Sequence, residues 1–381
     1  MNGTEFENNW FSHQFSRHCT DNDLRRELAL IRRSEQQQQK LISALKPLDE
    51  TILEHTIGYE QLAVDLTAEL AQRAANGNVK NALDFALLED FDHLYRYADL
   101  MEMESGALAE NLVGRYTEIM PGRPTISEHR CPYDSIRPYI DDMQDDLFTK
   151  LSVGIITAAE QQTMNFYMNV CGAYPSQLGR RLYQEIGMIE EQHVTQYGSL
   201  IDPRATWLEG LLMHQYTECY LYWSCASTET DGRIRGIWET LLNQEIAHLH
   251  NAAHLLSRLE GKDWHKVVGS GEFPAPLSLH SNIDYVRGVL ASSVENTAVR
   301  EGYAPVDALP ANSGFFAYQA RVNPSDAIVP SHIVIDQAIA RNGRDYRFEV
   351  AENPIEALRD RAHDNTRVGR LHSELFRGIA R

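Results

Sequence analysis

Four acid-x-x-His pairs punctuate the 381-residue chain: Asp90/His93, Glu190/His193, Glu245/His248 and Asp360/His363. On a helix, residues three apart lie on one face, so a carboxylate and an imidazole at that spacing can reach the same cation. With fifteen histidines, some such pairs arise by chance; their surroundings carry the weight. Asp90 shares its helix face with Leu83, Ala86, Leu87, Leu94 and Tyr97. Glu190 sits among Tyr183, Ile186, Gly187, Val194 and Tyr197, and Glu245 among Trp238, Leu241, Leu242, Leu249 and Ala252. These are faces that should be buried, and a buried carboxylate needs a cation, a metal or a proton. Asp360, flanked by Arg359 and Arg361, reads as a surface pair.

Each of the three apolar-face pairs has a glutamate one helix upstream. Glu60 stands before Asp90, Glu160 before Glu190 and Glu218 before Glu245, at nearly the same separation each time. At about 1.5 Å per residue, some thirteen helical residues out and thirteen back around a turn return the chain to the same height. Each glutamate therefore pairs with its acid-x-x-His across an antiparallel helix pair.

The elements that must position these side chains are helical. Apolar residues recur three and four apart over 48–262, which predicts helices near 48–75, 79–103, 106–119, 134–146, 148–172, 177–200, 205–227 and 231–260. Residues 1–20 read as an arm, followed by a helix from Thr20 or Asp21 to Pro47, with Gln36–Gln39 on its solvated face. The Pro-rich stretch 120–133 is a connector. No stretch of 48–262 alternates convincingly with period two; beyond Gly261, helical pieces near 282–298, 331–341 and 354–378 are separated by long loops. The expected fold is all-α: an N-terminal arm and helix (1–47), an up-down helical bundle (48–262), and a loop-rich, partly helical region packed on it (263–381).

This pattern resembles the ferritin-like di-iron carboxylate superfamily, of the rubrerythrin or di-iron oxygenase type. Its site takes one Glu from each of two helices and Glu-x-x-His from two others. The resemblance covers the helical region 48–262 and rests on spacing and on the texture of IEEQHVTQYGSL and NQEIAHLHNAAHLL. It implies two iron ions, with manganese or a mixed pair as alternatives. Each His would bind one ion, the acid-x-x-His acids would bridge, and the upstream acids would be terminal ligands, with the metals about 3.5–4 Å apart. The implied activity is O2 or peroxide activation that oxidises a small-molecule substrate, or Fe(II) itself, with an external electron donor. Asp90 departs from the usual Glu, leaving Glu89 and Asp92 as alternatives there.

Such a site needs two units, and three are present. In the superfamily the second and third helices run parallel, so the chain must travel the bundle's length between them. The long segment from His93 to Glu160 suffices for that. The segment from His193 to Glu218 is mostly helix, and its loop of about five residues spans under about 20 Å where about 30 Å is needed. The first choice is therefore Glu60, Asp90, His93, Glu160, Glu190 and His193. A repeat at constant offset supports it, with His93, Tyr97 and Leu100 matching His193, Tyr197 and Leu200. The rival set is Glu160, Glu190, His193, Glu218, Glu245 and His248.

The net charge of −19 disfavours nucleic acid and anionic membranes as partners. Neither a spanning apolar run nor a signal-peptide core is present, and five cysteines without a CxxC pair suit the cytoplasm. The missing CxxC also argues against a self-contained rubrerythrin, and the length against a storage-cage subunit; a homodimer is compatible with all of this. Tyr167, Tyr183, Tyr197, Tyr216, Tyr220 and Tyr222 read first as core packing and second as an electron path. Arg123, Glu128, His129 and Arg130 read as a surface loop, with a substrate entrance as the alternative. The competing class is a non-catalytic helical scaffold whose buried acids pair with histidines or arginines.

Overall fold

The computed structural model describes residues 1–114, 116–325 and 328–343. The helix expected at 354–378 and the Asp360/His363 pair lie outside them. The described chain is all-α except for one antiparallel hairpin, Asn296–Val299 with Gly302–Pro305, where Thr297 faces Ala304. The hairpin occupies the end of the segment expected to be helical through 298.

Eight long helices build the body: α1 (Asn2–His18), α2 (Asn22–Ser43), α3 (Ile52–Arg73), α4 (Gly77–Ser105), then, after the short α5 (Glu110–Val113) and α6 (Thr125–Glu128), α7 (Leu147–Ala173), α8 (Gln177–Gly198), α9 (Trp207–Thr228) and α10 (Gly232–Glu260). They form four hairpins, α1/α2, α3/α4, α7/α8 and α9/α10. Every hairpin turns in three residues, and the third is a capping side chain: Asp21, Asn76, Ser176 or Asp231 accepts hydrogen bonds from amides of the next helix's first turn. Capping satisfies donors that the helix start would otherwise leave orphaned, and so short a turn makes the two helices antiparallel neighbours.

The hairpins assemble as two four-helix bundles. In the inner one, α3 packs on α7 and α4 on α8. Asn76, in the α3/α4 turn, donates to Asp145 at the start of α7, while Tyr174 and Ser176, in the α7/α8 turn, donate to Glu104 at the end of α4. Helices α4 and α7 therefore run parallel, and residues 106–146 carry the chain along the bundle between them. The helices expected at 106–119 and 134–146 are mostly absent, because this segment is a crossover with only α5, α6 and a single turn at Pro132–Ser135 among its described residues.

The outer bundle comprises α1, α2, α9 and α10. Residues 1–20 are not an arm: Asn2–His18 is a helix that buries Glu5, Asn8, Ser12 and Phe15 and packs on α7 and α9. Gly3 allows this approach, since a Cβ there would sit 2.5 Å from the Ala158 carbonyl oxygen. Asn251 of α10 donates to Glu27 of α2, and Phe15 and His18 stack on Trp207 at the start of α9. Helices α2 and α9 thus also run parallel, and the whole inner bundle is inserted between the two outer hairpins.

After α10 the chain returns over the inner bundle through α11 (His265–Val268), α12 (Ile283–Ser293), α13 (Gly314–Val322) and α14 (Pro330–Asn342). Helix α12 packs on α4, and α14 on α4 and α8, where Ser331 donates to Glu185. Among the described residues no helix is long and apolar enough to cross a membrane.

Candidate metal centre

Hairpin geometry sets the height of the inner acids. From Glu60 to the end of α3 at Arg73 is thirteen residues, as is the distance from Gly77, where α4 begins, to Asp90. The same count separates Glu160 from Ala173 and Gln177 from Glu190. All four carboxylates therefore lie about 20 Å from their turns, at mid-bundle.

There they converge into two interlocking groups: Glu60, Asp90, His93 and Glu190; and Asp90, Glu160, Glu190 and His193. Asp90 and Glu190 belong to both. Within each group the candidate ligand atoms lie within 4.8 Å of one another, and all six side chains are buried. His93 Nδ1 is 3.1 Å from Glu190 Oε1 and 3.9 Å from Glu60 Oε2. His193 Nδ1 is 3.2 Å from Glu190 Oε2, 3.2 Å from Asp90 Oδ1 and 3.6 Å from Glu160 Oε2. Both imidazoles thus turn the same nitrogen to the carboxylates. The alternatives to Asp90 point elsewhere: Glu89 binds His193 and Arg130, and Asp92 pairs with Arg96.

The outward nitrogens are held by further acids. His193 Nε2 donates to Glu89 Oε2 at 2.5 Å, and His93 Nε2 lies 3.5 Å from Glu128 Oε2. A carboxylate behind an imidazole fixes its orientation and raises its basicity as a metal ligand. Glu89 is itself anchored by Arg130 Nη1 at 2.8 Å, with Arg123 Nη1 at 3.6 Å.

The connector is therefore not a surface loop. Arg123, Glu128, His129 and Arg130 are buried, and Gly122 lets the backbone lie on α4, where a Cβ would collide with the Leu88 carbonyl oxygen. The sequence signal was available: two Arg and a Glu beside a histidine, in a segment too rich in proline to be a simple solvated helix.

The unfilled polar atoms are instructive. Glu60 Oε2, both Asp90 oxygens, both Glu160 oxygens and the hydroxyls of Tyr97 and Tyr197 are buried without a well-formed hydrogen bond. Such groups are normally satisfied, so a cluster of them marks a place for a ligand or an ion. Burial, reinforced by neighbouring carboxylates, pushes Glu60 and Glu160 well above the usual carboxylate range, and burial raises Asp90. Burial pushes Glu190 the same way, but hydrogen bonds from His193 and His93 overcome it and hold its carboxyl low. Burial likewise opposes ionisation of Glu89, yet Arg130, His193 and Arg123 bring it down to about 2. Both histidines are raised by the acids around them, against the effect of burial.

The tyrosines form a packed aromatic layer: Tyr97 lies 4.8 Å from Tyr183 and 5.3 Å from Tyr167 between ring centroids, and Tyr167 donates to Glu60. Glu218, Glu245 and His248 do not join Glu160, Glu190 and His193. The rival set is split, because Glu245 and His248 gather with Glu35 in the outer bundle. His250 and His254 are exposed and belong to neither group.

If each group holds an ion, replacing Glu89 by Gln should weaken binding on the His193 side about 10–100-fold and leave the His93 side unchanged, because of the two imidazoles only His193 leans on Glu89. A metal titration that resolves two steps would show one step moving; if both or neither moved, Glu89 would not have this role.

No family model, curated protein or solved structure matches the chain.

Proposed function

We propose that the inner bundle is a dinuclear metal carboxylate centre of the ferritin-like type, holding two iron ions, two manganese ions or one of each. In this reading the chain is an oxidoreductase that uses O2 or peroxide to oxidise a small-molecule substrate, with electrons from an external donor. One observation carries the reading, a charge balance. Arg123 and Arg130 both flank Glu89, and Glu128 faces the outward nitrogen of His93, all of them buried. Glu60, Asp90, Glu160 and Glu190 remain, and among the described residues the ion pairs that reach them come from His93 and His193 alone. Four buried carboxylates with no fixed cation match the charge of two divalent metals.

Glu60 and His93 would hold one ion, Glu160 and His193 the other, and Asp90 and Glu190 both. Two bound iron ions would supply the redox chemistry of oxygen activation. The chain's residues do the rest. Glu89 and Glu128 orient the imidazoles, and Tyr167 steadies Glu60 through its hydroxyl. Tyr97 and Tyr197, at equivalent places beside the two histidines, keep neutral phenols available to donate a proton or hydrogen bond at the centre. Water is restricted by the apolar layers above and below the acids.

A cavity of about 570 Å³ reaches Glu160 from the interface of the two bundles. Leu62, Leu66, Ile155, Leu221 and Leu277 line it, which suits an apolar substrate of modest size. The test is to load metal-free protein with Fe(II) under nitrogen and then admit O2. Rapid oxygen consumption that Glu190→Ala abolishes is expected. Absence of oxygen consumption by iron-loaded protein would overturn the reading, and continuous turnover of added Fe(II) without other substrate would convert it to a ferroxidase.

A further inference from the structure

The outer bundle repeats the inner one. Glu5 lies thirteen residues before the end of α1, and Glu35 thirteen after the start of α2, the same heights as Glu60 and Asp90. Glu245 lies thirteen after the start of α10, as Glu190 does in α8. Glu35-x-x-Gln38 stands where Asp90-x-x-His93 stands, and Glu245-x-x-His248 where Glu190-x-x-His193 stands. Tyr222 donates to Glu5 as Tyr167 donates to Glu60.

We propose that the outer bundle carries a second metal site, in which Glu35, Glu245 and His248 hold one divalent transition-metal ion, with Glu218 and Glu5 gathered around it. Candidate ligand atoms of the first three lie within 4.8 Å of one another. His248 Nδ1 turns to Glu245, 3.1 Å from each oxygen, presenting the same nitrogen as both inner histidines. Asn8 and Gln215 each donate to both Glu35 and Glu218, which fixes those two carboxylates side by side. Glu5, Glu35, Glu218 and Glu245 are all fully buried, and their only ion pair among the described residues is with His248. Glu5 Oε2, Glu35 Oε2 and Glu218 Oε1 have no hydrogen-bond partner among the described residues. Four buried acids facing one imidazole leave negative charge that a divalent cation would offset.

The stoichiometry differs from the inner centre because the second imidazole is missing. Gln38 occupies its place, its amide nitrogen donating to Gln244 and its buried oxygen unpartnered among the described residues. One imidazole with several carboxylates suits one Fe(II), Mn(II) or Zn(II) ion. That ion would join α2 to α10, and so tie together hairpins separated by the whole inner bundle.

Mn(II) is the probe. The metal-free protein is equilibrated with it, freed of excess, and its metal counted alongside helix content by circular dichroism. About three ions per chain are expected for the natural chain, about two for His248→Ala and about one for Glu190→Ala. His248 is 17% exposed, so its truncation should leave the fold intact; Glu245→Gln, nearly isosteric, is the second variant, again with about two ions. If both folded variants keep the natural count, the outer site is overturned. It is also overturned if folded Glu190→Ala binds none. If the natural chain binds a single ion that His248→Ala removes and Glu190→Ala spares, the outer site stands and the dinuclear reading of the inner one fails.

Discussion

Glu190→Ala should empty the inner centre of both ions, whereas Glu60→Ala and Glu160→Ala should each cost about one. The asymmetry follows from position. Glu190 touches His93 at 3.1 Å through one oxygen and His193 at 3.2 Å through the other, and it belongs to both groups of candidate ligands. Glu60 belongs only to the group of His93, and Glu160 only to that of His193. Removing a shared carboxylate deletes a ligand from each ion and one of the charges that keep two cations close; removing a terminal one leaves the other ion's donors in place. Metal content after equilibration with Fe(II) under nitrogen measures this directly. Equal losses in all three variants would mean that Glu190 is not shared, and no loss in Glu190→Ala would remove the inner centre altogether. Asp90→Ala should resemble Glu190→Ala, since Asp90 is the other shared acid.

The inner site was legible because its signals are local. Acid-x-x-His lies within one helix turn, and the separation of Glu160 from Glu190 measures one hairpin, so neither depends on how the hairpins pack. The choice of Glu60, Asp90 and His93 as partners of the 160–193 unit came from chain length, and the parallel run of α4 and α7 has the same origin. What escaped were features set by contacts distant in sequence. Asn2–His18 has a weakly patterned, polar face; it buries Glu5 and Asn8 because α9, far along the chain, presents polar groups to it. The Glu5–Glu35 separation nonetheless equals that of Glu60 and Asp90, hidden because Gln38 replaces the histidine that marks the other units. The nesting of one bundle inside the other is also invisible to periodicity, which reports the face a helix buries but not its partner. The connector's arginines read as solvated because their buried partners, Glu89 and the backbone of Phe85 and Ser293, lie on other elements.

Loading of the inner centre should by itself raise the melting temperature by about 10 °C at pH 7.5, and the gain should shrink as pH falls towards 5. Each ion held at a hundred times its dissociation constant contributes about 2.7 kcal/mol. Two inner ions would therefore add about 5 kcal/mol, and for a chain of this length each kcal/mol is worth about 2 °C. The pH dependence has a definite sign. In metal-free protein, burial raises Glu60, Asp90 and Glu160 above their unfolded values, so their contribution to stability is complete below about pH 4 and is lost as pH rises through the raised values. Glu128, raised to about 8 by burial and by Asp92 and Glu89, acts in the same direction up to that pH. His93 and His193, also raised, contribute stability that is present below about 6.5 and lost above their folded values. Glu190 and Glu89 are depressed and oppose this trend, but only at the acid end, where stability present above about pH 4.3 is lost as pH falls. Metal-free protein should therefore lose stability from pH 5 to 8, while loaded protein should not, because ions replace the protons and bind more tightly as the ligands ionise. The double variant Glu60→Gln/Glu160→Gln should reverse the sign: it removes two acids whose ionisation burial opposes, melts higher than metal-free natural protein at pH 8, and gains nothing from Fe(II) or Mn(II) at the inner centre. Melting curves of the two proteins, with and without metal at pH 5 and pH 8, decide it. If the double variant were less stable than the natural chain when both are metal-free at pH 8, the acids would be structural partners of their histidines, and the helical-scaffold reading would take the place of the metal centre.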